Sequence, residues 1–268
     1  MFNLKGKVAI VTGGAGVLGG AMAHGLAQAG AKVGVLSRTE SKVRHRVDEI
    51  KSKGGEAIAL PADVLNAESL KSSRNKVLNH WGRIDILINA AGGNMKGATI
   101  MPEESVFDLS MEDFSKVTDL NLKGTVLPSM VFGKMMAENK QGCIINISSM
   151  ASQQAITRIL GYSASKAAID NFTRWLSIEL ALKHGDGVRV NAIAPGFFIA
   201  DQNRSLLLNE DGSYTERAKS IIHNTPFKRF GKPEELVSTV LWLCSDESSF
   251  ITGVVIPVDG GFSAFSGV

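Results

Sequence analysis

Val8-Ala-Ile-Val-Thr12-Gly13-Gly14-Ala15-Gly16-Val17-Leu18-Gly19 dictates the architecture that the rest of the chain must accommodate. Four consecutive apolar residues suit a strand buried on both faces, and Thr12-Gly13-Gly14 ends it. A helix is expected over about 17–29, stopping at Gly30. Gly14, Gly16 and Gly19 between them satisfy G-x-G-x-x-G. Glycines in that place permit a tight turn and let backbone amides approach a pyrophosphate at a helix N-terminus. Such a loop can also be only a turn. The strand before it and the alternation after it make dinucleotide binding the expectation.

Working outward, strands are expected at 32–36, 57–60, 84–88, 144–147, 188–193 and 254–258. Helical stretches at 40–53, 67–80 and 112–139 separate them, the last with an interruption expected at Pro128. Strands alternating with helices, without repeats or a Pro-, Gly- or Ser-rich linker, predict an α/β chain. The expected fold is a doubly wound parallel sheet, a Rossmann fold, as a single domain over 1–268. Residues 197–225 are irregular in pattern and suit a lid over a substrate site.

Totals narrow the function. The 268 residues are 44% hydrophobic and 21% charged, enough for one large core. Net charge is only +3, which supplies no electrostatic footprint for nucleic acid or a membrane surface. Cys143 and Cys244 stand far apart in apolar runs and read as buried reduced thiols, not a disulfide framework. The five histidines show no metal-ligand spacing, so no metal is expected. A start without signal-peptide architecture and the absence of a ~20-residue apolar run predict a soluble, cytoplasmic protein.

The second strand ends in Leu36-Ser37-Arg38-Thr39, with no acid to bind a ribose 2′-hydroxyl. Ser37 can hydrogen-bond a 2′-phosphate and Arg38 can pair with it, which favours NADP(H). NAD(H) stays open, because Arg38 can equally be a solvated residue at a helix start.

The chemistry concentrates after the strand at 144–147. Ser148-Ser149 follow it, and then a helix carries Tyr162 and Lys166 four positions apart, on one face. A free tyrosine titrates near pH ~10, and a neighbouring cation favours its phenolate. The pair is therefore expected to exchange protons at neutral pH, with Lys166 lowering the Tyr162 pKa.

Together these segments resemble the short-chain dehydrogenase/reductase family along essentially the whole chain. The resemblance rests on Thr12-Gly13 with Gly19, Asp63-Val64, Asn89-Ala90-Ala91-Gly92, Asn121, Ser149, Tyr162 with Lys166, and Pro195-Gly196. Ser149 stands 13 residues before Tyr162, the family's spacing for its serine, which disfavours Ser148. One departure is Val17, where the family's middle glycine normally stands; Gly16 is shifted by one, and the loop path is expected to differ locally. The resemblance implies an NAD(P)-dependent oxidoreductase acting on CH–OH groups, with Asn121, Ser149, Tyr162 and Lys166 catalytic. It implies cofactor contacts at Gly13, Gly14, Gly16, Val17, Leu18, Gly19, Ser37, Arg38, Asp63, Val64, 89–92, Tyr162, Lys166, Pro195 and Gly196. For Asn121 a bond to helix backbone, and for Asp63 a cap on the next helix, stand as alternatives. A homotetramer, with the helices starting near Glu112 and Tyr162 at one interface, is also implied.

Several segments look closer to the D-mannonate oxidoreductase (fructuronate reductase) branch. They are Gly92-Gly-Asn94 with Ala98-Thr99, 119–122, Thr157-Arg158, and the run from Pro195 to Arg204. Arg158, four residues before Tyr162, could grip a carboxylate with two bonds, and Asn94, Gln202, Asn203 and Arg204 suit a polyhydroxylated ligand. The leading expectation is a sugar-acid ketone, D-fructuronate interconverting with D-mannonate. A polyol, deoxy-keto-sugar-acid or 3-oxoacyl reductase, and a non-catalytic cofactor-binding sensor, are the alternatives.

Overall fold

The computed structural model describes residues 2–201 and 203–267. Its sheet is built from β1 (Val8–Thr12), β2 (Lys32–Ser37), β3 (Glu56–Pro61), β4 (Ile86–Asn89), β5 (Gly142–Ile147), β6 (Val188–Pro195) and β7 (Val255–Val258). All neighbours are parallel, in the order β3-β2-β1-β4-β5-β6-β7. Every residue of β1, β4 and β6 is buried; β1 and β4 are apolar up to their last residue, whereas β6 also buries Arg189 and Asn191, which donate to backbone carbonyls.

The crossovers are α1 (Val17–Gln28), α2 (Glu40–Ser52), α3 (Ala67–Trp81), α4 (Met111–Thr118), α5 (Gly124–Glu138) and α6 (Leu160–His184). After β6 come α7 (Arg204–Leu207), α8 (Glu216–Asn224) and α9 (Val237–Cys244). Successive strand residues point to opposite faces, and the core divides accordingly. Ala9, Val11, Val33 and Ile145 pack beneath α1, α2 and α9 through Met22, Val43, Val47 and Val240. Ile10, Leu87, Ile144 and Val190 pack on the other face against α3, α5 and α6 through Leu70, Phe132 and Leu176. The doubly wound single sheet is therefore as expected.

Two local features differ from the sequence reading. Pro128 lies inside α5 without ending it, and the break comes earlier, as a π turn over Asp119–Lys123. There the Gly124 N–H reaches back to the Asp119 carbonyl, while the Thr125 hydroxyl takes the Asn121 carbonyl at 2.8 Å. The widened turn carries Asn121, which is fully buried. The segment at 197–225 is also more ordered than a plain loop. Leu207, Ala218 and Ile221 of α7 and α8 close with Phe230 into a small apolar cluster of their own.

Strand order reverses between β1 and β4, which opens a crevice at their C-terminal ends. No helix among the described residues is long and apolar enough to cross a membrane.

Candidate active site

The crevice is tied at its base by one side chain. Thr12 Oγ1, at the end of β1, accepts from the Ala90 and Ala91 N–H groups at 3.1 Å each. Gly13 then turns with φ 64, and a Cβ on Gly19 would collide with the Gly13 carbonyl. Only glycine lets α1 sit so directly on the loop. Gly16 precedes α1 in extended conformation and has no side-chain cap, and the first turn holds no acid. The leading amides are thus left for an anion. Val17 follows Gly16 directly out of the loop. It is simply the first helical residue, and the Gly16 N–H bonds the Gly13 carbonyl at 2.9 Å.

A cavity of about 280 Å³ runs from this loop. Gly13, Gly16, Val17, Leu18 and Gly19 line it, with Ser37 and Arg38 from the end of β2, Val64, and Ala90, Ala91 and Gly92. Bare amides in the middle, with a hydroxyl and a guanidinium at the β2 end, fit a dinucleotide. Gly14, Asp63 and Asn89 of the expected set are not on its wall. Gly14 packs toward Val11 and Val35 and donates to the Leu36 carbonyl at 3.2 Å. The Asp63 carboxylate accepts the Leu65 N–H at 2.9 Å, and the cap of α3 is Asn66. Asn89 is buried and donates to Ser129 Oγ at 2.8 Å and Asn146 Oδ1 at 2.9 Å, so it braces the floor beneath the crevice.

A second cavity, about 480 Å³, adjoins the first through Leu18 and Ala200, which line both. Ser149, Tyr162, Asn94, Pro195 and Gly196 are on its wall. Ser149 starts a short 3-10 turn after β5, and its Oγ accepts the Ala151 N–H at 3.1 Å. Burial raises the Tyr162 pKa above 10, and a hydrogen bond with the Ser149 hydroxyl opposes that rise.

Lys166 lies beneath, buried, with Nζ donating to the Ile147 carbonyl at 2.7 Å and lying 5.4 Å from the Tyr162 ring centre. Burial brings its pKa down to about 8, against the opposing field of Asp170. Lys166 Nζ is bonded to the Ile147 carbonyl, and the hydrogen bond that opposes the rise in the Tyr162 pKa comes from Ser149. Asn121 joins this group through Gly93, donating to its carbonyl at 2.7 Å and accepting its N–H at 3.0 Å. It also bonds the Val117 carbonyl at 2.8 Å, so the helix-backbone alternative is part of the same arrangement.

The expected substrate contacts are redistributed. Asn94 donates to Thr99 Oγ1 at 2.8 Å, and its own buried Oδ1 has no partner. Asn203 is on the wall, but its amide closes the lid backbone at Ala200 N and Phe198 O, both at 2.8 Å. Arg204, the first residue of α7, is exposed and off the wall. Arg158 is likewise off the wall, at φ 76, with its carbonyl holding the Ile100 N–H at 3.0 Å. Gln202 lies outside the described residues.

Instead the wall carries Lys96 and Arg217, neither expected from sequence, and among the described residues no Asp or Glu. Arg217, on α8, has its pKa lowered by burial and by the Arg158 charge. No motif marks it; only the fold brings α8 over the cavity. Much of the remaining wall is apolar, including Met95, Met101, Ile159, Phe197 and Ile221.

Comparisons with known proteins agree with this geometry. The family model described as "Enoyl-(Acyl carrier protein) reductase" matches residues 13–263. The oxidoreductase UxuB of Bacillus subtilis (strain 168), itself described as uncharacterized, is 47% identical over 99% of this chain and 98% of its own length. A crystal structure from Haemophilus influenza with bound NAD, provisionally assigned as a D-mannonate oxidoreductase, superposes with TM-score 0.93 and 42% identity. It spans 100% of this chain and 98% of that one. A provisional NAD(P)-dependent gluconate 5-dehydrogenase from Beutenbergia cavernae, with NADP bound at low occupancy, gives TM-score 0.85 and 35% identity over 98% and 99% of the two chains.

Proposed function

We propose, from the premise that this chain belongs to the short-chain dehydrogenase/reductase family and is an NAD(P)-dependent oxidoreductase, that it interconverts a sugar-acid ketone and its alcohol, D-fructuronate and D-mannonate first. One observation carries the choice of an acid. The charged side chains on the cavity wall beside Ser149 and Tyr162 are Lys96 and Arg217, without a carboxylate among the described residues to neutralise them. A cationic wall in a partly apolar cavity favours an anionic substrate over a neutral ketose. The unpartnered Oδ1 of Asn94 offers an acceptor for a substrate hydroxyl.

Gly13, the amides around Gly16–Gly19, Ser37, Arg38 and 90–92 would hold the nicotinamide cofactor, which when bound supplies or takes up the hydride. In the reductive direction Tyr162 gives its phenolic proton to the substrate oxygen, and the Ser149 hydroxyl donates to the same atom as negative charge grows there. Lys166 and Asn121 hold the base of the site, where Lys166 steadies the resulting phenolate until it is reprotonated. Ser37 and Arg38 favour NADP(H), with NAD(H) accepted. Assembly as a homotetramer is consistent with Trp175, Ile178 and Leu182, which α6 leaves exposed along one face.

The apolar part of the wall favours a second reading, a 3-oxoacyl reductase whose substrate would lay its chain on Met95, Met101 and Ile221. A panel of keto sugar acids, neutral ketoses and 3-oxoacyl thioesters, run with NADPH and NADH, separates the two.

A further inference from the structure

Asp170 stands one helical turn beyond Lys166 and is only 5% exposed. A carboxylate so buried is expensive unless it is paired. Yet among the described residues no cation forms a salt bridge with it, since Lys166 Nζ bonds the Ile147 carbonyl instead. Its partners are two hydroxyls. Ser148 Oγ donates to Oδ1, and Ser152 Oγ donates to Oδ2 at 2.7 Å.

Those serines bracket Ser149. Ser148 is the last residue before it, anchored to β6 by its N–H on the Ile193 carbonyl at 2.8 Å. Ser152 closes the 3-10 turn after it, its N–H donating to the Ser149 carbonyl at 3.0 Å. The two carboxylate oxygens thus fasten the chain on either side of Ser149. The turn they hold presents the Ala151 N–H to Ser149 Oγ. That amide occupies one lone pair of the hydroxyl and directs the rest of it toward Tyr162.

We infer that Asp170 is a positioning residue for Ser149: its carboxylate clamps Ser148 and Ser152, fixing the turn that aims the Ser149 hydroxyl at the reacting oxygen. The inference rests on Ser149 acting at that oxygen. It explains why a buried acid is kept where an apolar residue would pack, and why two adjacent serines follow β5 with different duties. Ser148 is the anchor and Ser149 the donor.

The test is a double-mutant cycle on the intact chain, with D-fructuronate and NADPH as the assayed pair. If wild type does not reduce D-fructuronate, the substrate reading fails, and the cycle runs with whichever member of the panel it does reduce. Asp170→Ala is expected to lower kcat by roughly 10- to 100-fold, the range for a donor displaced by about 1 Å. KM should change far less, and Ser152→Ala, which removes one arm, should fall between. In a Ser149→Ala background, adding Asp170→Ala should cost less than about a further twofold.

A second readout needs neither substrate nor cofactor. The chain has two tyrosines, so Tyr214→Phe leaves Tyr162 as the single phenol. Its phenolate absorbance should appear at higher pH in Asp170→Asn, because the Ser149 hydrogen bond that opposes burial is weakened. Additive losses in the cycle, or a fall in Tm with kcat and the phenol titration unmoved, would overturn the proposal. An unchanged kcat in Ser149→Ala would overturn it together with the role of Ser149. A loss in Ser149→Ala without one in Asp170→Ala and Ser152→Ala would overturn it alone.

Discussion

The terminal nitrogens of Arg217 both lie 3.5 Å from Thr157, one from its hydroxyl and one from its carbonyl, so the lid helix α8 meets the loop that enters α6. At that length the contacts are weak, and among the described residues Arg217 has no acidic partner. A half-buried guanidinium so loosely satisfied is suited to close on a carboxylate. Arg217→Ala is therefore expected to raise KM for keto sugar acids about 10- to 100-fold, the range for a lost charge-assisted hydrogen bond. KM for a neutral ketose should barely change. Arg204→Ala, at an exposed position off the wall, should leave both unchanged; steady-state kinetics on the two variants check the pair.

Tyr162→Phe removes the phenol proposed as the proton donor while keeping the ring that packs on the cavity wall. Turnover should fall at least about 100- to 10,000-fold, the scale of general acid catalysis. Cofactor affinity, followed by nicotinamide fluorescence, should stay near that of wild type. Substantial residual turnover would remove the phenol from the mechanism.

Lys166 should leave a signature on stability in the cofactor-free chain. Its folded pKa is down at about 8, below the ordinary 10.5. Between those values the unfolded chain binds more protons, so stability rises with pH across about 8 to 10. The full displacement corresponds to about 3 kcal/mol as an upper bound. Tyr162 acts oppositely above pH 10, where its raised folded pKa means that stability is lost as pH climbs further. Urea midpoints for wild type should therefore climb through this window more steeply than those of Lys166→Met. Equal slopes would mean that Lys166 is not buried as a cation.

Arg38 lines the end of the dinucleotide cavity and is exposed. Arg38→Ala should lower kcat/KM with NADPH about tenfold while leaving NADH nearly unaffected, as expected when one charge-assisted contact to a phosphate is lost. Initial rates with both cofactors read this directly. Equal losses with the two would assign Arg38 to some other contact.

Much of the site was legible because its residues obey local rules. The glycine loop needs a strand before it and a helix after it, and Tyr162 and Lys166 need only helical spacing. The fold followed from runs such as Val8–Thr12, whose unbroken apolar character fits a strand covered on both faces. What sequence hid depends on contacts between distant segments. Arg217 carries no motif, and its cavity position comes from α8 meeting the loop before α6 at Thr157. Asp170 stands one turn past Lys166, yet nothing local says that its partners are Ser148 and Ser152. Arg158 and Arg204 lie off the cavity wall for the same reason: proximity in chain to Tyr162 or to 197–225 does not decide on which side of a loop a side chain emerges. Pro128 was expected to break a helix that in fact gives way earlier, at the π turn holding Asn121.

The most direct test is kcat/KM for D-fructuronate against D-fructose, each with NADPH, on the wild-type chain. The two differ in having or lacking the carboxylate that Lys96 and Arg217 are placed to receive. A preference of about 100-fold or more for the acid, collapsing in Arg217→Ala, is the expected result. Equal or better turnover of the neutral ketose, or no oxidation of NADPH with any keto acid, would contradict it.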